Sequence, residues 1–141
     1  MDVNPPNSDI TNSEPFNASA LAASLTVKDL PASLAWYRDV LGFTVARTFD
    51  RGGPMFAASL RAGTVAILLT QDDGAKGYDR AKGEGISLQL TTAQNIDELA
   101  QGIRERGGTL DAEPMDGFGA RVFRLRDPDG FKLVISSERK G

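Results

Sequence analysis

Apolar and polar positions follow a legible order from about residue 20 onward. LAASLTV (Leu21 to Val27) is a short apolar run that reads as a strand. Asp29 then precedes a stretch in which Leu34, Tyr37, Val40 and Leu41 recur at helical spacing. Pro31 falls in its first turn and Gly42 at its end, so the spacing predicts an amphipathic helix with a glycine stop. Three strands are predicted next, in FTVARTFDR, PMFAASLRA and TVAILLT, separated by glycine-containing turns. Residues 72–83 are polar and glycine-rich and read as a connecting loop.

The pattern then starts again. GISLQLTT predicts a strand, and NIDELAQGIRERGG a helix with Ile96, Leu99 and Ile103 on one face. TLDAEP, ARVFRLR and FKLVISS complete a second set of three strands, the last two joined by the tight-turn tetrad DPDG, Asp127 to Gly130. The two helical stretches also match locally, LAWYRDVLGFTV against LAQGIRERGGTL. One strand–helix–strand–strand–strand unit is thus repeated, which points to a duplicated supersecondary element. Each unit alone leaves one sheet face uncovered, and two units side by side can curl those faces into a shared cup.

Composition narrows the function classes. With 141 residues the chain suits one domain, and 40% apolar content is enough for a core. It has no cysteine, which rules out disulfides and thiolate chemistry, and no histidine. The formal charge is −3, with both signs mixed along the chain and no basic run, so a nucleic-acid partner is not expected. No stretch approaches the roughly 18–20 apolar residues that span a bilayer, so no membrane partner is expected. Residues 1–19 are rich in Asn, Ser and Pro and read as a flexible tail. They lack a basic start and an apolar stretch, so they are not a signal peptide, and a cytoplasmic location is expected.

Two segments together resemble a known family. VKDLPASLAWYRDVLGF is similar to the opening signature of the vicinal oxygen chelate superfamily, and LRDPDGFKLVI to its closing signature. This superfamily groups glyoxalase I, extradiol dioxygenases, fosfomycin-modifying enzymes and bleomycin-binding resistance proteins, and the resemblance spans residues 20–138. It implies an α+β fold in which tandem βαβββ modules form a cupped, mostly antiparallel sheet with the helices on its outer face. Module one would cover residues 20–71, the loop 72–83, and module two 84–138. It also implies a homodimer, the cup often being built by modules from two chains.

The enzymes that the chain resembles hold a divalent metal at four strand positions. Carried over onto this sequence, those positions fall on Ala22, Leu68, Gly85 and Val134. None can coordinate a metal, since hard ions need oxygen donors and transition metals need imidazole, thiolate or carboxylate. Shifting the register by one residue brings in only Glu84, and one carboxylate does not hold a metal in water. No metal and no other cofactor is therefore expected.

The strand period of two places the neighbours of those positions on the same cup face. In the intervening strand the family pattern that the resemblance implies turns Val122 and Arg124 toward the cup, so the ligand-binding residues expected there are Ser24, Thr26, Leu68, Ser87, Gln89, Val122, Arg124 and Val134. Leu68 and Val134 make an apolar floor, and hydroxyls, an amide and guanidinium groups rim it. Arg124 either orients a carboxylate or phosphate of a ligand, which its fork matches, or points to solvent beside a surface acid. Trp36 and Tyr37 are expected in the core. Asp72 and Asp73 read as turn formers rather than an acid–base pair. Tyr78 and Arg80 belong either to a solvated loop or to a lid.

The reading that follows is a metal-free protein that binds a small organic molecule, aromatic or drug-like, and sequesters it without catalysis. The alternative is a metal-independent enzyme of the lyase or isomerase type. With no His or Cys available, a carboxylate such as Glu84 would then serve as base. A structural or regulatory pairing with another protein is the third option, and a cup filled by large side chains would mark it.

Overall fold

The computed structural model describes residues 14–139. Most of the expected tail, residues 1–13, lies outside them, and residues 14–22 run exposed or half-exposed without regular structure. Module one contains β1 (Ala23–Val27), α1 (Leu30–Trp36), β2 (Thr44–Phe49), β3 (Ala57–Ala62) and β4 (Val65–Gln71). Module two contains β5 (Ser87–Thr92), α2 (Ile96–Glu105), β6 (Leu110–Gly117), β7 (Ala120–Arg126) and β8 (Lys132–Ser137). The βαβββ order expected from the apolar pattern is present twice, and the fold is α+β.

Both helices start where the sequence provides a cap. The Asp29 side chain accepts the Ala32 amide at 3.1 Å, and that of Asn95 accepts the Glu98 amide at 3.0 Å. The first helix differs from expectation in one respect, because after Trp36 it widens into a π-helical turn, Tyr37–Leu41. Gly42 ends that turn at φ +88°, a conformation that costs glycine nothing. Over so few residues a π turn shifts the apolar spacing too little to register in sequence. Of the four expected positions Leu34, Tyr37 and Val40 are buried, and Leu41 is only half-buried.

The strands form two four-stranded sheets, ordered β1-β4-β3-β2 and β5-β8-β7-β6. Within each sheet the first pair is parallel and the other two are antiparallel. Burial alternates along the central strands, with register shifts in the edge strands β2 and β6. Leu25, Val27, Leu60, Ile67 and Leu69 face the helix side of the first sheet, and Phe123, Leu125, Leu133 and Ile135 that of the second. These residues join Leu30, Leu34, Tyr37, Ile96, Ala100 and Ile103 in one continuous core. Burial of that apolar surface is the main stabilising term, at about 25 cal/mol per Å² removed from water.

Polar fastenings join the modules at the helix layer. Arg106 Nε donates to the Val40 carbonyl at 3.0 Å, and the Tyr37 hydroxyl donates to Asp127 at 2.7 Å. The Lys28 amide donates to Asp129 at 2.8 Å. The open face of each sheet lies on its far side from this shared core. The two sheets are not hydrogen-bonded to each other. Each chain therefore presents two half-cups, and β1 and β5 remain sheet edges.

Candidate functional site

Register decides which side chains share an open face. In the first sheet Ser24, Leu68 and Ser59 form one cross-strand row, and Thr26, Thr70 and Ala57 the next. Thr26 and Thr70 share a hydroxyl–hydroxyl hydrogen bond of 3.3 Å. Ser24 is exposed, and Leu68 half-buried beside it makes the apolar floor that the sequence predicts. Further along, Arg47 pairs in register with Ser59 after a bulge, and Arg61 with Ala66, so both guanidinium groups belong to this face. Arg47 sits over the Phe49 ring at 4.8 Å.

In the second sheet Gln89, Val134, Arg124 and Ala112 form a row, with Ser87, Lys132 and Arg126 beside it. Ser87, Gln89, Arg124, Arg126, Lys132 and Val134 line a cleft of about 340 Å³, together with Asp111 and the underlying Leu125 and Leu133. Arg126 grips Asp111 with two hydrogen bonds, 2.8 and 3.1 Å. Asp111 reaches this face from an irregularity of β6, where the register slips between Leu110 and Ala112. A bulge of that kind cannot be read from alternation, so the sequence alone did not mark Asp111 as a site residue. Val122 is on the same face, one row further along, between Ser136 and Met115.

The eight predicted residues thus fall into two groups. Ser87, Gln89, Val122, Arg124 and Val134 come together on the second sheet. Ser24, Thr26 and Leu68 come together on the first. One chain does not bring the groups into a single cavity.

A larger cleft, about 760 Å³, runs along the seam between the modules. Phe43, Thr64, Val65, Thr92, Glu98 and Arg106 are among its lining residues, and it contains none of the predicted ones. It is the wider space, but it lies by the β3–β4 turn and α2, away from the open faces.

The positions at which the resemblance implies metal ligands carry no donor side chain. Ala22 and Gly85 stand just before β1 and β5, and Leu68 and Val134 sit within β4 and β8. Among the described residues no group of three His, Cys, Asp or Glu is placed to hold an ion. The residues at these four positions do not fit a metal. Glu84 is exposed on the loop ahead of β5.

The remaining candidate groups take structural roles. Trp36 is half-buried, with its ring edge-to-face on the buried Tyr37 at 5.0 Å. Asp72 shapes its turn by accepting the Gly74 amide at 2.8 Å, and it also binds Lys82 at 2.9 Å. The Gly74 amide, and then Lys82, hold the Asp72 carboxyl at about 2, below its ordinary value. The Lys82 side chain is only 6% exposed and reaches Asp129 as well, at 3.3 Å, so it ties the inter-module loop to both modules. Tyr78 and Arg80 are exposed on that loop. Among the described residues no helix is long and apolar enough to cross a membrane.

Comparison with known proteins adds the following. A family model described as Glyoxalase/Bleomycin resistance protein/Dioxygenase superfamily matches residues 19–135. A lactoylglutathione lyase of Salmonella typhimurium is 32% identical over 125 residues, which are 82% of this chain and 89% of that protein. A probable lactoylglutathione lyase of Synechocystis sp. is 30% identical over 130 residues, 85% of this chain and 97% of that one. Among solved structures, TioX from Micromonospora sp. ML1 matches with a TM-score of 0.70 at 18% identity, covering 85% of this chain and 98% of its own. A glyoxalase/bleomycin resistance protein/dioxygenase from Nocardioides matches at 0.66 and 19% identity, covering 93% and 90%. At such identities these two structures speak for the fold alone.

Proposed function

Since the chain belongs to the glyoxalase/bleomycin resistance protein/dioxygenase superfamily, we propose that it binds a small organic molecule on its open sheet faces without a metal. The observation that carries this reading is the donor set. Ala22, Leu68, Gly85 and Val134 stand where the resemblance implies metal ligands, and the chain has no histidine or cysteine to replace them. What remains on the faces is apolar floor with hydroxyl, amide and guanidinium groups around it, which suits an organic body with a few polar handles. Sequestration needs only such a surface, and apolar burial supplies the affinity.

A complete cup would form when the first-sheet face of one copy meets the second-sheet face of another. The free edges of β1 and β5 support this, because an unpaired edge is a ready template for another strand. The protein would then be a homodimer with two composite sites.

The relatives named lactoylglutathione lyase support a second reading, an enzyme working without the metal. Glu84 is its available base, but the exposure of that side chain counts against it. One experiment separates the readings. The purified protein is analysed for bound metal, assayed for formation of lactoylglutathione with and without added divalent ions, and screened by thermal shift against aromatic compounds. Absence of metal and of turnover, with a concentration-dependent shift from a compound, is the expected result. Stoichiometric metal, or turnover that responds to a divalent ion, overturns the metal-free reading. Turnover without metal that is lost in Glu84→Gln favours the enzyme. Light scattering that gives a monomer overturns the composite cup.

A further inference from the structure

We infer that the molecule held on the second sheet is an anion, its carboxylate, phosphate or sulfonate group seated between Arg124 and Lys132; this rests on the binding reading above.

The chain carries a net charge of −3, yet its open faces are basic. Register places Arg47 and Arg61 on the first face, with no acid among the strand residues that share it. The second face has Arg124, Arg126 and Lys132 against a single acid, Asp111. Acidic residues gather elsewhere, such as Asp97 and Glu98 at the start of α2 and Asp72, Asp73 and Asp79 on the inter-module loop.

Neutralisation on the second face is incomplete. Asp111 is taken up by Arg126 through both its oxygens. Arg124 and Lys132 take part in none of the ion pairs seen among the described residues. They are diagonal neighbours on adjacent strands, since Arg124 pairs with Val134 and Arg126 with Lys132. Like charges so placed repel, and an anion between them relieves the repulsion while accepting charge-assisted hydrogen bonds.

The neighbouring groups extend the match. Val134, half-buried, sits directly between Gln89 and Arg124 in the same cross-strand row. A flat apolar body laid on Val134 would put its charged substituent at Arg124 and Lys132, with the Gln89 amide on its other side. Arg126, locked by Asp111, forms a fixed wall to the 340 Å³ cleft rather than a second ligand group. The ligand class is thus an organic anion with an apolar ring or chain.

Fluorescence titration of the full chain with anilinonaphthalene sulfonate tests this, beside N-phenyl-1-naphthylamine, which has a similar aromatic body and no charge. The variants are Arg124→Gln with Lys132→Gln, both exposed positions, and Arg38→Gln as a control that removes one positive charge from the helix layer. The sulfonate should bind more tightly than the neutral probe and weaken in about 0.5 M salt, where screening acts within a few Å. The double variant should weaken the sulfonate by about tenfold and leave the neutral probe unchanged. Arg38→Gln should change neither. Equal binding of the two probes, or a sulfonate affinity that the double variant leaves intact, overturns the anion inference while the binding reading stands. Failure of both probes to bind overturns the binding reading itself, and the inference with it.

Discussion

Tyr37, in the first module, donates its hydroxyl to Oδ2 of Asp127, in the DPDG turn of the second, at 2.7 Å, and both residues are buried. The other oxygen of the same carboxylate accepts the amides of Asp129 and Phe131, each at 2.9 Å. One aspartate therefore shapes the turn and fastens it to the helix layer. Burial pushes its carboxyl above the ordinary range, against the pull of these three donors. Burial raises the Tyr37 phenol as well, so it stays protonated and a donor.

Removing that donor leaves part of the carboxylate unsatisfied. Tyr37→Phe should lower stability by about 1–3 kcal/mol near neutral pH, read from urea unfolding. The sign of the pH effect follows from the raised carboxyl. The folded chain keeps this proton at pH values where the unfolded chain has released it, so stability from Asp127 declines as pH rises above about 3.8 through the raised value. The cost of Tyr37→Phe should accordingly shrink at acid pH, where Asp127 is neutral. An equal cost at both ends would mean that the hydroxyl does not satisfy the carboxylate.

Asp72 acts in the opposite direction. Its folded carboxyl titrates at about 2, lowered first by the Gly74 amide and then by Lys82. Its stabilisation is complete above the usual 3.8 and is lost as pH falls toward about 2. Lys82→Met should return the carboxyl toward its ordinary value and move acid unfolding to higher pH, followed by circular dichroism. An unmoved acid midpoint would show that the Gly74 amide and Arg80, which lies 3.4 Å from the carboxylate, hold Asp72 without Lys82.

Val134→Glu places a carboxylate beside Arg124, its register partner. The position is half-buried on an open face, so the fold should survive with a change of about 1 kcal/mol or less. The new acid should neutralise Arg124 and weaken anilinonaphthalene sulfonate without conferring stoichiometric metal binding, since a single carboxylate is too few donors. Metal analysis and the fluorescence titration read both outcomes.

Gly108 marks a close approach of the two helical segments. A Cβ there would lie 2.5 Å from Ile103 Cγ2 and 2.8 Å from Val40 Cγ1. Gly108→Ala should therefore destabilise by about 1–3 kcal/mol through overpacking, seen as a lower thermal midpoint. Gly107→Ala makes a useful contrast. Its site is spatially open but its φ is +94°, so its cost comes from backbone strain instead.

The element order was legible because burial alternates with period two in strands and near 3.6 in helices. In ARVFRLR the alternation agrees with the orientation that the family resemblance implies, with Phe123 and Leu125 buried and Arg124 and Arg126 exposed. Local signals carried the helix starts at Asp29 and Asn95 and the stop at Gly42. The clefts were less legible. Asp111 depends on a bulge, and Lys82 on contacts with Asp72 and Asp129, which lie far apart in sequence. Such pairings leave no periodic trace.

The repeated βαβββ order, the apolar faces and the absence of histidine and cysteine follow from residue type and short-range spacing. That both helix-covered faces share one core, and leave two open faces unjoined, emerges only once the chain is folded. That outcome is set by long-range packing such as Tyr37 on Asp127 and Arg106 on Val40. It assigns Arg124 and Ser24, predicted together, to different sheets. It also leaves Arg124 and Lys132 side by side with no acid between them, because charge balance across strands depends on register and not on composition.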